Sequence, residues 1–283
     1  MEDQNHITRK QHYIPQFHFR NFSSMEKGIY RFDLLNPDKE SIIVPIDSEC
    51  YKKDLYEIYK ENQTLISQNY LENTFAKYEK GIASTINHIK QKAFEPSNLG
   101  SSLFLTTDEK TALSIFLTLE ILRRPEIIKK GSELYMQMSD GSIKDYEANN
   151  YALLHMFPLP DVNMEDDIVF FRVFEWFNDK TFRVGITDSN CIFLGDIPFY
   201  FESEEKVKKP IIAVFPLSSN IVLFLYPKKN IKVEHRNRLF KMDNEIIQAV
   251  QSSIARMSKR WIYSYNPIGM KEKVIIKEAI GVK

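Results

Sequence analysis

Lys10-Gln11-His12-Tyr13-Ile14-Pro15-Gln16-Phe17-His18-Phe19-Arg20-Asn21-Phe22 is the stretch from which the rest of this chain is read. Its thirteen residues hold two histidines, an arginine, three amide side chains and four aromatic rings around one proline. Pro15 fixes its own φ and pushes Ile14 toward an extended conformation, so the spacing predicts an extended segment rather than a helix. Such a segment presents alternate side chains to two faces, and its polar heads and rings could line a site. An extended segment also needs a sheet to pair with.

Working outward, Gly28 to Phe32 and Ser41 to Ile46 read as short strands around an Asn36-Pro37-Asp38 turn. Alone they would form a marginal two-stranded unit, so they are expected to join later strands and carry the opening segment with them. Those later strands are read at Ile168 to Phe177, Thr181 to Ile186, Asn190 to Leu194, Ile211 to Phe215, Ile221 to Tyr226 and Trp261 to Tyr265. Asn178-Asp179-Lys180 is read as a hairpin turn between the first two of them.

Helices fill the middle of the sequence. Leu71, Phe75, Tyr78, Ile82, Ile86 and Ile89 recur at helical spacing and define one apolar face. Thr106 and Glu109 have capping-box spacing ahead of a run, Ala112 to Leu122, that is apolar nearly all round. Arg123-Arg124-Pro125 ends or kinks that helix. Another helix is read around Tyr146 to Met156, and Asp243 or Asn244 caps a last one bearing Ile246, Val250 and Ile254. The expected fold is α+β, a mainly antiparallel sheet with a central helical section packed against it. The expected layout is a flexible segment over 1–11, a single domain over 12–266 and a peripheral tail over 267–283.

Thirty-eight basic and thirty-eight acidic residues give a formal net charge of zero, which argues against broad, nonspecific nucleic-acid binding. Cys50 and Cys191 form no CxxC, so neither a disulfide framework nor a zinc site is indicated, and no metal set is read elsewhere. The polar start carries no signal-peptide core, and no run of eighteen apolar residues occurs. A cytoplasmic protein without a membrane partner is expected.

Few side chains invite chemistry. His12 can move protons near neutral pH, and Arg20 can hold a phosphate or carboxylate with a forked pair of bonds. The bland reading ties both to neighbouring backbone carbonyls, with His18 facing out of the strand. Glu120 is placed to pair with Arg123 or Arg124; the bland reading pairs it with Arg124 and leaves Arg123 on a helix-end carbonyl. Asp196 follows Gly195 at a strand end, where it either offers a carboxylate or closes its own turn. Glu72 and Glu79 share a helix side, as a solvated rim or as a pair of catalytic or metal-binding carboxylates.

The run His12-Tyr13-Ile14-Pro15-Gln16-Phe17-His18-Phe19-Arg20-Asn21-Phe22 resembles the opening signature of the bacterial family called domain of unknown function 4238. Leu122-Arg123-Arg124-Pro125, Phe193-Leu194-Gly195-Asp196-Ile197-Pro198-Phe199 and Phe215-Pro216-Leu217-Ser218 are similar to its later segments, in order, although Ile197 stands where the pattern has Asn. The resemblance supplies no activity. It implies that His12, Arg20, Arg123 and Asp196 are recurrent polar positions, a set that would suit a phosphate-bearing substrate such as a nucleotide or nucleic acid. In that reading His12 and Asp196 are catalytic, as acid–base group and orienter, while Arg20, Arg123, Tyr13 and Gln16 bind substrate. The alternative is a noncatalytic ligand-sensing or protein-interaction module in which the same residues are a structural lock. No cofactor is indicated by either reading.

Overall fold

The computed structural model describes residues 9–59, 69–101, 104–157, 168–201 and 213–282. These form eight α-helices and eleven strands in mainly antiparallel sheets, an α+β fold. The chain divides into two compact units, one built from Met1–Tyr13, Cys50–Ile82 and Ala112–Phe177, the other from Ile14–Glu49, Ala83–Thr111 and Asn178–Lys283.

The first unit is mostly helical. Strand β1 (Lys10–His12) pairs antiparallel with β4 (Tyr51–Lys53), setting His12 opposite Tyr51 and Lys10 opposite Lys53. Helix α2 (Tyr70–Ala93) gives this unit its N-terminal half, with Leu71 and Phe75 buried as the apolar periodicity requires. Helix α3 (Thr107–Leu122) starts on the expected capping box: the Glu109 N–H donates to Thr106 Oγ1 at 3.2 Å, and the Thr106 N–H donates to Glu109 Oε2 at 2.8 Å. Pro125 does not merely end this helix. It occupies the first position of α4 (Pro125–Met138), where a missing N–H costs nothing. Helix α5 (Asp145–Met156) packs against α4.

Helix α6 (Val169–Asn178) corrects the sequence reading, which made Ile168 to Phe177 a strand. Aromatic and β-branched residues favour strands when taken singly. The burial period decides otherwise: Phe170 and Phe177 are buried while Phe171 and Trp176 are exposed, which is helical spacing.

The second unit holds two sheets. One runs β3 (Ile42–Pro45), β2 (Gly28–Asp33), β11 (Trp261–Ser264), β6 (Leu194–Gly195), all antiparallel, so the early strands do join a late one. Of the expected strand at Asn190 to Leu194, only Leu194 lies in β6. The other sheet runs β10 (Leu239–Lys241), β5 (Thr181–Ile186), β9 (Ile221–Tyr226), β8 (Ala213–Ser218), β7 (Tyr200–Phe201), with β10 parallel to β5 and the rest antiparallel. Ile211, where an expected strand began, lies outside the described residues. Helix α7 (Asn244–Met257) is capped by Asp243, whose Oδ1 accepts from the Ile246 N–H at 2.8 Å. It packs on α8 (Met270–Ile280), which buries Ile276.

The opening stretch itself is only partly extended. After β1 comes a short helix, α1 (Gln16–Arg20), with Pro15 as its N-cap at φ −60° and ψ 142°. The restriction that proline imposes falls on the residue before it, whereas its own φ suits a helix start. The segment therefore turns from strand to helix at Pro15.

Candidate functional site

In the first unit the polar side chains gather around Arg123, just past the end of α3. Its side chain is 1% exposed. Nη2 donates to the His12 carbonyl at 2.7 Å, Nε donates to the Tyr56 hydroxyl at 3.4 Å, and Nη1 is paired with Glu79 of α2. The guanidinium lies over the Phe75 ring at 4.6 Å, and Phe75 makes an edge contact with Tyr56 at 5.0 Å. The Tyr56 hydroxyl in turn donates to the Arg123 carbonyl at 3.0 Å. Burial opposes the charge on Arg123, but Tyr56, Glu79 and Glu72 outweigh it and hold the group above its ordinary value. Burial pushes the Tyr56 hydroxyl up, against the pull of Arg123.

Gln11 and Glu57 extend this cluster. Gln11 is fully buried; its Nε2 donates to Glu57 Oε1 at 2.6 Å and its Oε1 accepts from the Tyr56 N–H at 2.6 Å. Glu57 also accepts from the Asn69 N–H. Burial raises the Glu57 carboxyl above the usual range, although these hydrogen bonds oppose it. Glu72, on α2, is pushed up to about 7, first by burial and then by Glu79 and Glu57, against the pull of Arg123. Its Oε2 is buried without a hydrogen-bond partner among the described residues. The solvated rim expected of Glu72 and Glu79 is thus a set of carboxylates drawn in around one arginine. Glu72 and Glu79 share a single guanidinium here, and burial, more than that sharing, is why Glu72 retains a proton more readily than usual.

His12 enters the cluster through its backbone carbonyl, while its ring packs beside Tyr51 at 5.8 Å. Tyr13 is half-buried and its N–H donates to the Cys50 carbonyl at 2.9 Å, extending the β1–β4 pairing. Arg124 is buried and reaches Glu126 at 3.4 Å.

The remaining sequence candidates belong to the second unit. His18 does not face outward: it is fully buried on α1, with Nε2 2.9 Å from the Pro216 carbonyl of β8. The helical turn after Pro15 is what swings it inward. Asp196 accepts from the N–H groups of Lys259 at 2.8 Å, Arg260 at 3.0 Å and Trp261 at 3.1 Å. It therefore ties down the remote turn that leads into β11, a correction to the reading in which it closed its own. Gly195 makes this approach possible, because a Cβ there would lie 2.1 Å from Ser258 Oγ. Arg20 is exposed, and its Nη2 donates to Gln16 Oε1 at 2.9 Å. Both line a cleft of about 440 Å³ with Lys27, Pro45 and Ile46.

The sequence candidates thus divide. His12, Tyr13 and Arg123 lie in the first unit, and Gln16, Arg20 and Asp196 in the second. Tyr56 and Glu57 escaped the sequence reading; they sit on no periodic element, and only tertiary packing brings them to Arg123, while Gln11, inside the opening stretch, was given no role of its own. Among the described residues no group of three or more His, Cys, Asp or Glu could hold a metal ion, and no helix is long and apolar enough to cross a membrane.

Comparison with known proteins agrees with the family resemblance. No curated protein and no solved structure matches the chain. One family model does, over residues 10–267, which is nearly the whole length, and the chain belongs to that family, described as "Protein of unknown function (DUF4238)".

Proposed function

We propose that this protein is a noncatalytic ligand-binding module in which the polar residues of the opening signature are a structural lock. The observation that carries this reading is the state of Arg123: a guanidinium 1% exposed, with its nitrogens turned to Glu79, the Tyr56 hydroxyl and the His12 carbonyl. A group so engaged fastens strand β1 to helices α2 and α3, and has little left to offer a phosphate. Asp196 and His18 are likewise directed at backbone groups of distant segments.

The test compares stability with turnover. Arg123→Lys and Asp196→Asn are expected to lower the melting temperature, and neither they nor the wild type should cleave RNA, DNA or nucleotides. Cleavage by the wild type that is lost in His12→Ala, with melting unchanged, would overturn the lock.

A second reading, an enzyme acting on a phosphate-containing substrate, draws support from Glu72. A carboxyl pushed up to about 7 is matched to acid–base work near neutral pH. In that reading Glu72 joins His12, of the same unit, as a proton-handling group. Loss of such an activity in Glu72→Gln with unchanged folding is the result that would favour it.

A further inference from the structure

The first unit contains a cavity of about 380 Å³ that neither His12, Tyr13 nor Arg123 lines. Its size falls in the range of small-molecule sites, roughly 300–1,000 Å³. Part of its wall is apolar: Leu55 and Ile128 are buried there, beside Pro125 at the start of α4. Lys52 and Lys53 of β4 and Lys129 of α4 supply cations at the rim.

The charge balance at this cavity favours an anion. Three carboxylates also line it, but two are already answered from outside the lining. Asp54 is gripped by Arg9 through two bonds, at 2.7 and 3.3 Å, and Glu126 is met by Arg124 at 3.4 Å. The third, Asp145, is the first residue of α5, where the positive end of the helix complements it. Lys52 and Lys53 have no ion pair among the described residues. Lys129 has only a loose, exposed pair with Glu133 at 3.4 Å, which exchanges readily for a better partner. Ser132 and Asn149 add hydrogen-bonding groups deeper along the helices.

We propose that this cavity binds a small phosphate monoester, its dianion at Lys52, Lys53 and Lys129 and its apolar body against Leu55, Pro125 and Ile128. The assignment rests on the chain being a binding module and names its ligand class. A zero overall charge is no obstacle, because the cations are gathered locally on the β1–β4 ribbon and the start of α4.

Calorimetric titration of the full chain with phenyl phosphate, inorganic phosphate and phenol tests the site. Phenyl phosphate should bind best, inorganic phosphate less well and phenol least. Lys52→Gln/Lys53→Gln should weaken phenyl phosphate by about tenfold or more, and added salt should weaken it in the wild type. Lys129→Gln should do the same to a smaller degree, while Lys241→Gln, on β10 of the second unit and paired with Asp188, should change nothing. No binding of phenyl phosphate at millimolar concentration, or equal binding by the lysine variants, overturns the proposal. An oligonucleotide that displaces phenyl phosphate and binds the same lysines more tightly also overturns it, in favour of a nucleic acid. Release of phenol from phenyl phosphate by the wild type, abolished in the lysine variants, leaves the site standing and overturns the noncatalytic reading alone.

Discussion

Asp196 and Glu72 are both carboxylates drawn out of bulk water, yet their surroundings treat them differently. Asp196 meets three backbone N–H groups, at residues 259, 260 and 261, which replace the water it gave up. Glu72 shares one arginine with Glu79 and has a buried oxygen with no donor among the described residues, so burial pushes it up to about 7. The contrast lies in the supply of donors more than in depth. Backbone N–H groups are fixed and plentiful at a turn, whereas the helical unit provides a single guanidinium for several carboxylates. A carboxylate of the second kind makes its unit sensitive to pH.

Removing the shared arginine should break this comparison most severely. Arg123→Ala leaves half-buried Glu79 and Glu72 without that cation and takes one donor from the His12 carbonyl. The expected loss is about 3–5 kcal/mol, typical of a buried pair deprived of one partner. Chemical denaturation at pH 7 would measure it. A loss below about 1 kcal/mol would mean that water already reaches these groups and that the lock is weak. Asp196→Ala should come next, at about 2–3 kcal/mol, because it strands several N–H donors together. Hydrogen exchange should quicken at residues 259–261 in particular. Asp196→Asn, which retains one acceptor oxygen, should fall between that variant and the wild type.

Both carboxylates were visible in the sequence, but their environments were not. Asp196 stood out because Gly195 precedes it at a strand end, and the segment's polar role was legible. That its partners lie more than sixty residues away, at 259 to 261, depends on β6 pairing with β11, which no local pattern encodes. Thr106 and Glu109, Asp243 and the α2 stripe were legible because caps and apolar faces are local features. Val169–Asn178 was misread because single-residue preference for strands outweighed a short helical period. The turn at Pro15 was misread because proline's effect on Ile14 was extended to the residues after it. Tyr56 and Glu57 gave no signal, and Gln11 no role of its own, since their meaning arises only where β1 and the turn after β4 meet the helices of the first unit.

The pH dependence sharpens the comparison from the other side. Glu72 has a folded-state protonation midpoint of about 7, above the ordinary value of 4.5. Between those two values the folded chain binds more protons than the unfolded one, so its stability falls as pH rises through this window and levels off above it. Each unit of such displacement corresponds to about 1.4 kcal/mol before solvent screening reduces it. Glu57, also raised, acts in the same direction. Glu72→Gln should therefore flatten the slope between pH 5 and pH 7 and make the protein more stable than wild type at pH 8. Denaturant midpoints at these pH values would show it. A variant as steep as the wild type would place the titration elsewhere.

Arg20→Ala should have the smallest effect on stability, and for that reason it says the most about function. Arg20 is exposed and makes one described contact, an i to i+4 bond with Gln16 on a five-residue helix. Pairs of that kind contribute about 0.2–0.5 kcal/mol, so the melting temperature should barely move. Arg123, in the next of the family's segments, is expected to cost roughly ten times as much. Both arginines belong to the same run of signature segments, so stability alone gives a reason for only one of them to be arginine. A ligand held in the cleft shared by Arg20, Gln16 and Lys27 would give a reason for the other. Hydrogen exchange at residues 16–20 and 45–47, with candidate ligands present and absent, would detect it in the wild type and miss it in Arg20→Ala. If Arg20→Ala instead destabilises the chain as much as Arg123→Ala, Arg20 is a second lock and the cleft is only the space beside it.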